Sequence, residues 1–141
     1  MNLIFRLIPV ILYFIVGIIS LIMAFKSIFA SSYLPFHKKA ANKPWDEIEE
    51  SLKYVILSLI RLGGLGFLII SILLIVCTGI NFFVQGDIYK YAISGIALIY
   101  CAGLSANNYL LYKNTKVNTP WKGPLYAICL IQAGIILSIF N

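Results

Sequence analysis

Four apolar runs, at about residues 3–25, 54–80, 89–112 and 121–140, alternate along the chain with short polar or turn-forming stretches. Each is close to the roughly 20 residues that an α-helix needs to cross a bilayer. The first run, "LIFRLIPVILYFIVGIISLIMAF", continues well past the short core of a leader peptide, so it is expected to stay as a span. Pro9 near its outer end should bend it locally. No low-complexity tract or internal repeat interrupts the pattern.

Ahead of the second run stands "NKPWDEIEESLK", which reads as a helix start in water. Pro44 suits a first helical turn, and Asp46, Glu47, Glu49 and Glu50 set negative charge against the positive end of a helix dipole. The spacing predicts an amphipathic cytoplasmic beginning to the second helix at about 44–53. Trp45, Ile48 and Leu52 form its apolar stripe, which would rest on the membrane surface or a neighbouring helix.

Small residues mark where helices are expected to touch. Ala92, Gly95, Ala102 and Ala106 fall roughly on one face of the third run, and Gly134 and Ser138 pair on the fourth. Gly63, Gly64 and Gly66 either admit a close neighbour or loosen the second helix into a kink. Tyr89 and Tyr91 mark one membrane interface, and Trp45, Tyr109, Tyr112 and Trp121 the other.

Composition agrees with that pattern. With 61% apolar and 11% charged residues in 141, the chain is expected to be all-α, a polytopic membrane protein folding as a single four-helix transmembrane bundle over residues 1–141. The net charge of +6 comes from residues between the apolar runs and makes no basic face, so nucleic acid is not an expected partner. Lys26, Lys38, Lys39, Lys43 and Lys53 flank the first connection, and Lys113, Lys116 and Lys122 the third, against Arg6 and Lys90 on the other side. That asymmetry places the first and third connections inside and both termini outside a bacterial cytoplasmic membrane.

The usual chemical signatures are missing. Cys77, Cys101 and Cys129 lie one per run without a C-x-x-C pair, and His37 is the single histidine, so no metal, haem or iron–sulfur site and no cofactor is expected. The cysteines read as small apolar residues. No catalytic residue is assigned, since neither a nucleophile triad nor a phosphate-binding loop stands out. The acids all fall in connections or interfaces, which removes the intramembrane carboxylate that proton-coupled export requires.

One polar stripe remains. Glu47, Ser51, Tyr54, Ser58 and Arg61 recur by three or four residues on the second helix, with Arg61 deepest. Asn107 and Asn108 reach a similar depth on the third helix, and Gln132 the middle of the fourth. Two readings follow. Either Arg61 snorkels to the headgroups while the amides join helices, or these residues form a polar pocket on the cytoplasmic side for an anionic lipid or small amphipathic ligand, with Arg61 turned inward toward Asn107 or Asn108.

"LPFHKKAANKPWDEI" followed by "LIRLGGLGFLIISILL" resembles a family of small bacterial four-helix membrane proteins with a Pro-aromatic-His, a later Trp, then Arg and a glycine cluster. The matching positions are Pro35, Phe36, His37, Trp45, Arg61, Gly63 and Gly64. The resemblance implies the same fold and adds His37 and Trp45 to the candidate site. The chain is also similar, more loosely, to DoxX-like membrane proteins, some of which are tied to quinone-linked redox chemistry. The expected function is a non-catalytic binding or accessory module with membrane lipid, another membrane protein or a second copy as partner. The alternative is an enzyme or carrier handling a lipophilic small molecule.

Overall fold

The computed structural model describes residues 3–83 and 87–139, and within those segments the side chains of residues 3–6, 77, 81–83 and 87–90 lie outside the description. The orientation markers Arg6 and Lys90, the interface residue Tyr89 and the thiol of Cys77 therefore fall outside it. The described chain is all-α. Helix α1 runs Leu3–Ile28 without interruption at Pro9, α2 is Pro35–Ala41 and α3 is Glu50–Ile72. A π-helical turn, Leu73–Cys77, joins α3 to α4 at Thr78–Phe83, and α5 (Asp87–Thr115) and α6 (Lys122–Ile139) follow. Leu7–Ile28, Glu50–Ile80 and Lys122–Ile139 are each long and apolar enough to cross a membrane, which fits a multi-pass membrane protein.

Each helix packs along a stripe of small and β-branched residues. On α1 the buried face is Tyr13, Val16, Gly17, Ser20, Ala24 and Ser27, a three-and-four spacing. Glycines let α3 approach it. A Cβ at Gly64 would stand 2.9 Å from the backbone nitrogen of Ile28 and from the Ser27 Cβ, and one at Gly17 would stand 2.6 Å from Ile75. These two contacts also show that α1 and α3 run antiparallel. Gly134 of α6 admits the Tyr13 ring in the same way. The Tyr13 hydroxyl lies beside those of Ser94 and Ser138, so a polar atom in the core has polar neighbours.

Leu74 and Ile131 are fully buried at the centre of the core, with Val16, Ile70, Ile93, Ala97 and Cys101 around them. Helices α1 and α3 pack along their length, as do α1 with α6 and α5 with α6, whereas α3 and α5 barely meet. The bundle is closed at the level of Leu74 and parted between α3 and α5 toward the connections at 29–49 and 116–121.

Three expectations are corrected. The second long helix begins at Glu50, later than the 44–53 start that the sequence favours. Trp45–Glu47 form a 3-10 turn after an extended Pro44, and Ile48 and Glu49 are extended again, with ψ of 136° and 140°. The break lets Trp45 meet Tyr33 edge-on at 4.7 Å while Ile48 turns into the protein, and a continuous helix from Pro44 would not have that bend. The proline that does open a helix is Pro35, at the start of α2, which ends on Asn42 in the left-handed region (φ 50°). Finally, the small-residue face of α5 is not the packed one. Ala92, Ala102 and Ala106 are exposed and nothing lies within 4 Å of a Cβ at Gly95; Ser94, Ala97, Cys101 and Ser105, a neighbouring stripe, are buried instead.

Candidate functional site

Where α3 and α5 part, a groove of about 500 Å³ opens beside α2. Helix α2 supplies His37, Ala40 and Ala41, and Tyr33 lies just before it. Ile48, Leu52, Ile56, Leu59 and Ile60 form the facing wall, and Leu111 of α5 closes the third side. On α3 the lining residues recur at three and four, so one ridge of the helix makes the wall. Its size falls in the range of small-molecule sites, and its lining is aliphatic apart from two aromatic polar groups, Tyr33 and His37.

His37 stands out chemically. Its ring packs at 4.1 Å on Phe36, and its Nδ1 is buried without a hydrogen-bond partner. Burial pushes the imidazole below its ordinary pKa, so it is neutral at pH 7. A buried nitrogen left unpaired costs about 1–3 kcal/mol.

Above the groove, Tyr100 of α5 crosses to α3. Its hydroxyl donates to the Gly63 carbonyl at 3.0 Å, its ring meets Phe67 edge-on at 5.5 Å, and a Cβ at Gly66 would lie 2.6 Å from its oxygen. It acts as a strut that closes the groove toward the core. At the opposite end, the α5–α6 connection is tied back by hydroxyls: Thr119 Oγ1 donates to the Asn108 carbonyl at 2.7 Å, and Ser105 Oγ to the Trp121 carbonyl at 3.1 Å. Trp121 also meets the Tyr109 ring, and Lys122 lies 5.6 Å over its face.

The polar residues singled out in the sequence do not gather here. His37 lines the groove, and Trp45 is one ring away through Tyr33. Tyr54, Ser58 and Arg61 are exposed on the far side of α3. Nine residues separate Arg61 from the groove residue Leu52, a rotation of about 180° at 100° per residue. Among the described residues, Arg61 has no hydrogen bond or ion pair to Asn107, Asn108, His37 or Tyr54. An inward Arg61 is thus not what the structure shows, because α1 and Tyr100 occupy the other faces of α3 at that depth. Asn107 and Gln132 are exposed, and Asn108 contributes its backbone carbonyl rather than its amide. Ser51 donates to the Glu49 carboxylate at 2.8 Å.

Among the described residues no group of three or more His, Cys, Asp or Glu could hold a metal, and Cys101 is buried while Cys129 is exposed, both free. The groove residues carry little chemical signal. Only the Trp45, Ile48, Leu52 stripe pointed toward a neighbour, and two of its members do line the groove or its wall.

The fold and groove describe a helical membrane protein with a laterally placed apolar site. Comparison with protein-family models, curated proteins and solved structures gives no match.

Proposed function

We propose that the protein is a four-span, non-catalytic binding module of a bacterial cytoplasmic membrane, holding one chain of a membrane lipid or similar amphiphile in the groove between α2, α3 and α5. Helix α5 would be the fourth span. Its 29 residues reach about 43 Å at 1.5 Å per residue, and it lies along α6. Lys38, Lys39, Lys43, Lys113 and Lys116 stand at the groove end, which makes that end cytoplasmic and leaves both termini outside. The resemblance to small four-helix bacterial membrane proteins belongs to the same proposal.

The observation that carries the reading is the groove: aliphatic walls, about 500 Å³, at the connection end of the spanning helices, where an acyl chain of the adjoining leaflet has direct access. Native mass spectrometry in a mild detergent tests it. Wild type should retain a bound lipid or amphiphile, and Ile56→Trp, which fills the groove, should lose it. Retention of the same molecule by Ile56→Trp, or an empty wild type, would overturn the proposal.

A further inference from the structure

We propose that α6 is the contact surface between two copies of this chain, which meet about a two-fold axis along the membrane normal and exchange hydrogen bonds between their Gln132 amides. The surface is separate from the groove, which α2, α3 and α5 form. Of the residues of α6, Ile131 and Gly134 alone are buried. On another side of the helix, Leu125, Cys129, Gln132, Ile136 and Ile139 recur at alternating steps of four and three, and all are exposed. Such spacing keeps one seam turned toward a parallel neighbour.

Spacing alone does not single out α6. Exposed residues of α1 from Ile11 to Phe29, and of α3 from Leu62 to Val76, follow the same steps, and their seams are apolar throughout, as lipid-facing surfaces are. Gln132 breaks that pattern. It lies ten residues beyond Lys122, about 15 Å into the helix at 1.5 Å per residue, too deep for its side chain to reach water across half of a core about 30 Å thick. Among the described residues it has no hydrogen-bond partner. An amide left bare in hydrocarbon gives up the hydration of two donors and a carbonyl with nothing in return. A second copy supplies the missing partner by symmetry. Every copy carries Gln132 at the same depth and with the same orientation to the membrane, so a two-fold axis beside α6 sets amide against amide, and each donates to the other. Polar side chains paired in this way join membrane helices. A different partner would have to bring its own polar group to that level.

Cys129 supplies the readout, since it lies one turn from Gln132 on the same seam and the axis brings the two Cys129 thiols together. The full-length protein carrying Cys77→Ala and Cys101→Ala is placed in phosphatidylcholine vesicles and oxidised with copper phenanthroline over a range of protein-to-lipid ratios. The control moves the thiol by one residue, Cys129→Ala with Leu130→Cys, to a side chain that is exposed at the same depth but about 100° around the helix. Disulfide-linked dimer should form at least about tenfold faster from Cys129 than from the control, because the bond requires facing Cβ atoms. The protein-to-lipid ratio that gives half-maximal cross-linking should rise about five- to thirtyfold with Gln132→Leu, as for loss of the amide pair, and return most of the way with Gln132→Asn.

Gln132→Leu exchanges one exposed side chain for another, so the fold of the single chain does not depend on it. Native mass spectrometry of wild type and Gln132→Leu in a mild detergent, which needs no cysteine replacement, should show the same shift from dimer to monomer. Equal rates from Cys129 and from the Leu130→Cys control overturn the interface. A half-maximal ratio unmoved by Gln132→Leu overturns it too, since the amide is what sets α6 apart from the other exposed faces. Wild type that stays monomeric at every ratio gives the α6 surface to lipid or to a different membrane protein, and also overturns the proposal.

Discussion

The Tyr100 hydroxyl donates a 3.0 Å hydrogen bond to the Gly63 carbonyl, joining α5 to α3 at the level where the two helices begin to part. The carbonyl already belongs to a helix, so the bond is an addition to its ladder and not a replacement. Its neighbour Gly66 makes room for the ring, and a side chain there would meet Tyr100 before anything else.

The two positions should therefore behave as one unit. Tyr100→Phe keeps the ring and removes the bond, at a cost of about 0.6 kcal/mol, the average for such bonds between membrane helices. Gly66→Ala forces the ring aside and breaks the same bond. In a double-mutant cycle of unfolding free energies in detergent, the effect of Tyr100→Phe should vanish in the Gly66→Ala background. Additive effects would show that the strut does not exist in solution.

Gly63 and Gly64 are adjacent in sequence and opposite in consequence. A methyl at Gly64 meets the Ile28 backbone at 2.9 Å, which cannot swing away, while a methyl at Gly63 meets nothing within 4 Å. Gly64→Ala should cost about 1–3 kcal/mol by prying α1 from α3. Gly63→Ala should stay within about 1 kcal/mol of wild type, gaining helix propensity. Thermal unfolding of the two purified variants side by side checks this, and equal midpoints would contradict it.

The long helices were legible because an apolar run in a membrane protein has few alternatives to a helix. Close approach at Gly64 and Gly66 was legible as one of two options, and the packing of Ser27, Ile28 and Tyr100 selects it. The irregularity in the second long helix falls at Leu73–Cys77, where no proline or glycine announces it. The groove was largely hidden, since His37, Ile56 and Leu111 are far apart in the chain and its walls are ordinary aliphatic residues. Helical period placed Tyr54, Ser58 and Arg61 on one face. It could not say which way that face turns, because tertiary packing of α1 and α5 decides that.

Acidification should loosen α2. Burial lowers the His37 pKa from 6.5; Phe36 packs on the ring, and no acid is among the groove residues to favour the charged form. Above about pH 6.5 the neutral imidazole contributes its full stabilisation. As pH falls below that value the unfolded chain takes up the proton first, so the contribution declines until the lowered native pKa is reached, then levels off. Unfolding midpoints compared between pH 7.5 and pH 5 should show a drop in wild type that His37→Phe lacks. An identical drop in both would assign the effect to other groups.

Arg61 tests how an exposed cation lives on a spanning helix. It lies about 16 Å along α3 from Glu50, on the face carrying Tyr54 and Ser58, both toward the start of the helix. Helical side chains lean toward the N-terminus, so an exposed arginine at this position has a path past Ser58 and Tyr54 toward the surface, as snorkelling requires. Because the groove lies about 180° around α3, Arg61→Leu should leave the bound chain in place. It should ease insertion by up to about 2.5–3.5 kcal/mol, the mid-span cost of arginine, less whatever snorkelling already recovers. Affinity of the protein surface for anionic lipid should fall about fivefold, in line with about 1 kcal/mol per cation near the headgroups. Arg61→Lys should preserve most of that affinity, since a snorkelled charge needs reach more than a planar fork. Native mass spectrometry with defined anionic and zwitterionic lipids reads both effects at once. Loss of the groove-bound chain in Arg61→Leu would join the two faces of α3 into one site and sink this assignment.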